Sequence, residues 1–170
     1  LPLWKHRQRG QHLKSHFRHH NRTVEKRMKR ILIVDDDLAI LDSTKQILEL
    51  EGYEVVTAAT AGEGLSKIEN EFFNMALFDI KLPDMEGTEL LEKAHKMRPG
   101  MKKIMVTGYA NLENSVFSLN AGADAYIMKP VNPKDLLEKI KEKLEEQEKD
   151  TIIDGEKVAQ FLEEKLLSIR

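Results

Sequence analysis

Residues 31–40 read ILIVDDDLAI. Four aliphatic residues form a run suited to a strand buried on both faces, and three aspartates follow at once. A chain that leaves a core and places up to three carboxylates side by side needs a reason, because such groups repel unless something positive sits among them. One of the three has a local use. A carboxylate favours a helix N-terminus, and the stretch from Leu38 to Leu50 carries apolar residues at 40, 41, 47, 48 and 50, roughly at helical spacing. Asp37 is therefore expected to cap that helix, which leaves Asp35 and Asp36 to explain.

Outward from this stretch the pattern repeats. EGYEVVTA restarts a strand after Gly52, and AGEGLSKIENE suits a helix. FNMALF (73–78) is a second buried run, followed by the helix EGTELLEKAHKM, which Pro99-Gly100 closes. KKIMVTG is strand-like, NLENSVFSLNAG (111–122) reads as a helix ending near Gly122, and AYIM (125–128) is a fifth strand. NPKDLLEKIKEKLEEQEK is a last helix with Pro133 in its first turn. Strand and helix alternate five times, and the strands are almost continuously apolar. The expected fold is a doubly wound α/β domain, a parallel sheet with helices on both faces.

In such sheets, sites form beyond the carboxyl ends of the strands. The first strand ends before Asp35 and Asp36, the third in Asp79, the fourth in Thr107, and the fifth just before Lys129. A parallel sheet brings all five to one edge. Oxygen donors without His or Cys favour a hard ion such as Mg²⁺. A carboxylate can attack phosphorus to give an acyl phosphate, and a cation, a lysine and a hydroxyl can neutralise the phosphoryl oxygens.

ILIVDDD, LFDIKLPDMEG, IMVTGYA and AGADAYIMKP, in this order and spacing, resemble the receiver domain of two-component response regulators, the CheY-like superfamily, over residues 29–149. The resemblance implies a flavodoxin-like (βα)5 fold with strand order 2-1-3-4-5. It implies that Asp79 is the phosphoacceptor, that Asp35 and Asp36 hold Mg²⁺ together with Asp79 and the backbone carbonyl of Lys81, that Thr107 and Tyr126 are the switch residues, and that Lys129 assists phosphoryl transfer, with Pro130 after it in a cis peptide. It further implies a sensor histidine kinase or phosphotransfer protein as donor, and a downstream protein partner on the face of the fourth helix, fifth strand and fifth helix. The protein would be a signalling switch whose own chemistry is limited to self-phosphorylation and autodephosphorylation. Pro83 and Gly87 are expected to shape the loop after Asp79, and His95 to lie on the surface.

The rest of the chain sets bounds. Of the 170 residues, 27 are Lys or Arg and 29 Asp or Glu, yet the first 30 carry ten bases against one acid and five of the six histidines. Residues 1–28 read as a basic, disordered tail on an acidic domain. The tail invites nucleic acid, but aromatic residues are few and nucleic-acid binding is not expected. No cysteine is present, which excludes disulfides and thiolate chemistry and fits a reducing compartment. No apolar run is long enough to insert in a membrane, so the expected location is the cytoplasm. Residues 150–170 suggest a C-terminal amphipathic helix: a helical extension packed back on the domain, a homodimer or partner helix, or a linker. A haloacid-dehalogenase-type phosphatase, with Asp35 and Asp37 as a D-x-D pair, accounts for the first strand end but leaves FDIKLPDMEG unexplained.

Overall fold

A computed structural model describes residues 28–108 and 121–167. The basic tail, the helix expected over 111–122 and Tyr109 lie wholly or almost wholly outside the described residues. Five parallel strands form one sheet: β1 (Arg30–Val34), β2 (Glu54–Ala58), β3 (Met75–Asp79), β4 (Lys102–Thr107) and β5 (Ala125–Met128), in the order β2-β1-β3-β4-β5. Helices α1 (Leu38–Leu50), α2 (Ala61–Asn70) and α3 (Gly87–Met97) connect them, and a C-terminal helix runs from Pro133 to Leu167. This is the flavodoxin-like arrangement.

Strand side chains alternate between the sheet's faces, and here both alternants are apolar. Leu32, Val34, Ala76, Phe78 and Met105 join Ile68 of α2 and Leu90, Leu91 and Ala94 of α3 in one cluster. Ile31, Ile33, Met75, Leu77, Ile104 and Val106 join Leu41 and Leu48 of α1 and Leu136, Ile140 and Leu144 of the C-terminal helix in the other. Burial of two layers on a single sheet fixes every strand in register, since a slip of one residue would exchange the two clusters.

Helix starts are chemically specified. Asp37 caps α1, accepting hydrogen bonds from the amides of Ala39 and Ile40 at 2.9 and 3.2 Å. Thr60 caps α2, and Asn132 Oδ1 accepts from the amide of Lys134 ahead of the C-terminal helix. Lys129–Pro130 is cis. Lys103 is fully buried at the start of β4; its ammonium donates to the carbonyls of Met101 and Pro99, and burial lowers its pKa.

The C-terminal helix differs from the expected pair of segments. It continues through residue 150 without a break, and Asp154 lies within it. Residues 151–166 are all exposed, so the extension does not fold back on the domain. Ion pairs at helical spacing, Lys139–Glu142, Lys143–Glu146 and Lys157–Asp154, carry the helix through its polar middle.

Gly87, the first residue of α3, passes so close to β3 that a Cβ there would overlap the carbonyl oxygen of Asp79, and its amide donates to the Ile80 carbonyl at 2.7 Å. In an open helix, replacing Gly by Ala gains up to about 1 kcal/mol. Here Gly87→Ala should instead lower the unfolding free energy by about 1–3 kcal/mol, read as a fall in urea midpoint at unchanged slope.

Candidate functional site

The direction of the sheet gathers the site. β1, β3, β4 and β5 all run to one edge, where Asp35, Asp79, Thr107 and Lys129 stand at or just beyond the last strand residues. Asp35, Asp79 and Thr107 are buried; Asp36 is exposed. Each of Asp35, Asp36 and Asp79 offers a carboxylate oxygen, and these three oxygens lie within 4.8 Å of one another. Asp37, turned onto the amides of α1, is outside that set, which removes the D-x-D reading.

Lys129 provides the positive charge. Its Nζ is 2.7 Å from Asp35 Oδ2 and 3.4 Å from Asp79 Oδ2, while its amide donates to the Thr107 carbonyl at 2.8 Å. The other oxygens also have work. Asp35 Oδ1 accepts from the amide of Asp37 at 2.9 Å, and Asp79 Oδ1 from that of Ile80 at 2.8 Å. Burial pushes the Asp79 carboxyl above its ordinary value, Lys129 opposes this, and the charge of Asp35 adds to it. Burial alone would lower the Lys129 ammonium, but its hydrogen bond to Asp35 and the two negative charges outweigh burial and raise it. The site therefore holds one cation among more negative charge than it neutralises. An additional hard cation bound by oxygen ligands fits this donor set.

The loop after Asp79 is clamped. Lys81 pairs with Glu86 in a short antiparallel bridge, and Gly87 ties back to Ile80. Asp84 reaches across to α2, accepting from the amides of Ala61 and Gly62 at 2.9 and 2.8 Å, and these bonds, Gly62 first, lower its pKa. Asp84 was not visible as a positioning residue in the sequence, since its partners are more than twenty positions away; only its place beside Pro83, one step from the loop's turn, hints at a role. Tyr126 is half-buried, pairs in register with Met105 and packs against the α2–α3 cluster. His95 is exposed, as expected, with its ring against Gly122, whose φ of +101° and closeness to the imidazole both exclude a side chain.

A family model described as the response regulator receiver domain matches residues 31–141. The chain belongs to that family. Among curated proteins, the alginate biosynthesis transcriptional regulatory protein AlgB of Pseudomonas aeruginosa is 32% identical over 114 residues, covering 67% of this chain and 25% of AlgB. The chain thus spans about a quarter of that relative's length. Among solved structures, a CheY-like response regulator receiver domain protein from Methanospirillum hungatei is 90% identical, with a TM-score of 0.71 over 72% of this chain and 98% of that one. The BeF3-activated DrrB receiver domain is 34% identical, with a TM-score of 0.65 over 69% and 98%. These two solved receivers share the fold found here.

The raised pKa of Asp79 sets a sign for stability. A carboxyl that binds its proton more tightly when folded contributes most below its unfolded pKa, near 3.8, and that contribution is lost as pH rises through the folded value. Without divalent ions, Asp79→Asn should be more resistant to urea than wild type at neutral pH. The difference should close as pH falls below about 4.

Proposed function

We propose that this receiver is a phosphorylation-dependent switch that takes a phosphoryl group on Asp79 from a phosphohistidine of a sensor histidine kinase or phosphotransfer protein. The observation that carries this is the convergence of Asp35, Asp36 and Asp79 on one small volume with Lys129 Nζ against two of them. A carboxylate oxygen of Asp79 forms the new bond to phosphorus while the P–N bond of the donor breaks and its imidazole departs with that electron pair. Asp35, Asp36, Asp79 and the backbone carbonyl of Lys81 would hold Mg²⁺, which supplies charge neutralisation for the phosphoryl oxygens. Lys129 stays protonated, as its raised pKa favours, and presents a second positive charge. The receiver described as BeF3-activated supports the reading, because beryllium trifluoride becomes tetrahedral when a carboxylate oxygen binds it, the shape of a phosphoryl group on that oxygen.

Phosphorylation shifts a two-state equilibrium. In this reading Thr107, buried at the end of β4, turns its hydroxyl to the phosphoryl group. Tyr126, on the neighbouring strand, reports the change to the face that binds a downstream protein. Such a protein acts in the cytoplasm. Among the described residues no helix is long and apolar enough to cross a membrane.

Incubation with acetyl phosphate and Mg²⁺, followed by intact mass, should give one base-labile phosphoryl adduct on wild type and none on Asp79→Asn. Asp36→Asn should weaken Mg²⁺ binding roughly tenfold or more in a titration of the unphosphorylated protein. An adduct that persists in Asp79→Asn would overturn the assignment.

A further inference from the structure

The C-terminal helix presents one face to the domain through Leu136, Ile140, Leu144 and Gln147. Gln147 ties it inward, with Nε2 donating to the carbonyls of Asn74 and Gly100 at 2.9 and 2.7 Å, and the ion pairs Lys29–Glu148 and Lys102–Asp150 end the contact one turn further on. Continued at 3.6 residues per turn, the same face reaches Thr151, Gly155, Val158, Leu162 and Leu166, flanked by Ile152 and Phe161. It stays apolar where the domain no longer covers it. Ile152, Val158, Phe161, Leu162 and Leu166 are 55–68% exposed.

We infer that this overhanging face is a homodimer surface, on which a second copy lays its own overhang in antiparallel orientation. Three observations select that occupant. The first is area. Five such side chains leave roughly 500 Å² of apolar surface per copy in water, so mutual burial removes up to about 1,000 Å², the threshold of a specific interface. The second is steric. A parallel, in-register partner would have to run along the face that the sheet already fills between Leu136 and Gln147, whereas an antiparallel partner needs only the overhang. The third is self-complementarity. When Ala159 faces Leu162 of the second copy, Gly155 faces its Leu166, so in these layers a small residue meets a large one and each contact occurs twice, as a two-fold interface requires.

The tip of each helix then points at the other copy's sheet edge remote from Asp79. There Phe72, Met97, Pro99, Met101 and Ile152 line an apolar groove of about 800 Å³, and Phe72 is 66% exposed. One rim of the pair places Glu156 and Glu163 of both copies near each other. By the same register the opposite rim sets Asp154 of each copy near Lys165 of the other, an attractive contact, and salt screens both rims. None of this depends on phosphoryl chemistry at Asp79.

The test is the mass of the full 170-residue chain in solution, by light scattering or sedimentation equilibrium, up to concentrations on the order of 100 µM. A concentration-dependent dimer is expected. Leu162→Glu should return it to monomer with the domain's urea midpoint unchanged, and Ile153→Glu, on the opposite face, should leave the dimer intact. The chain has no cysteine, so orientation can be read directly: a mixture of Gly155→Cys and Leu166→Cys proteins should form the mixed disulfide on oxidation. A monomer throughout, a dimer indifferent to Leu162→Glu, or exclusively like-with-like disulfides would overturn the proposal.

Discussion

The ammonium of Lys129 bridges two buried carboxylates, 2.7 Å from Asp35 and 3.4 Å from Asp79, and it does so across the ends of three different strands. Each of those carboxylates alone would be costly to bury. Together and without the lysine they would repel at close range. The contact therefore binds the ends of β1, β3 and β5 into one unit that the hydrophobic layers cannot provide, because those layers lie above and below the sheet rather than at its edge. The loops beyond that edge inherit their positions from it. Asp37 caps α1 because Asp35 holds the Asp37 amide, and the turn after Asp79 begins with an amide bonded to that carboxylate.

The same contact leaves an imbalance. One lysine faces Asp35 and Asp79, with Asp36 close by in solvent, and the raised Asp79 pKa registers what Lys129 does not compensate. A site in this condition favours the arrival of further positive charge. Burial rather than the neighbouring charge is the largest cause, so the tension is built in by the depth of the strand end and not by the surface around it.

Much of this was legible in the sequence, for a simple physical reason. Asp35, Asp79, Thr107 and Lys129 each follow an apolar run, and parallel strands deliver such positions to one edge. What was not legible depended on contacts between distant segments or on ambiguous pattern. Ile31 and Leu32 are equally apolar, so the assignment of each to a face awaited the structure. Asp84 looks like an ordinary loop acid, yet its partners are the first amides of α2. Lys103 sits next to another lysine in a strand start and reads as solvated, but carbonyls of its own loop enclose it. The polar stretch EEQEKD, followed by an aspartate and a glycine, reads as the end of one helix and the start of another. Ion pairs three residues apart, together with the absence of proline, let it continue as one.

That unbroken helix has a consequence for phase. Within a rigid α-helix each residue turns the next side chain by about 100° and advances it by 1.5 Å. From Leu144, the last buried leucine, to Leu166 the rod has no joint, so the azimuth of every outer side chain is fixed relative to the sheet. A single inserted or deleted residue past Gln147 would rotate everything beyond it by more than a quarter of a turn while scarcely changing its height. The domain thus sets the angular setting of a surface some 30 Å along the helix, and sequence length in that segment becomes a coordinate as strict as any packed side chain.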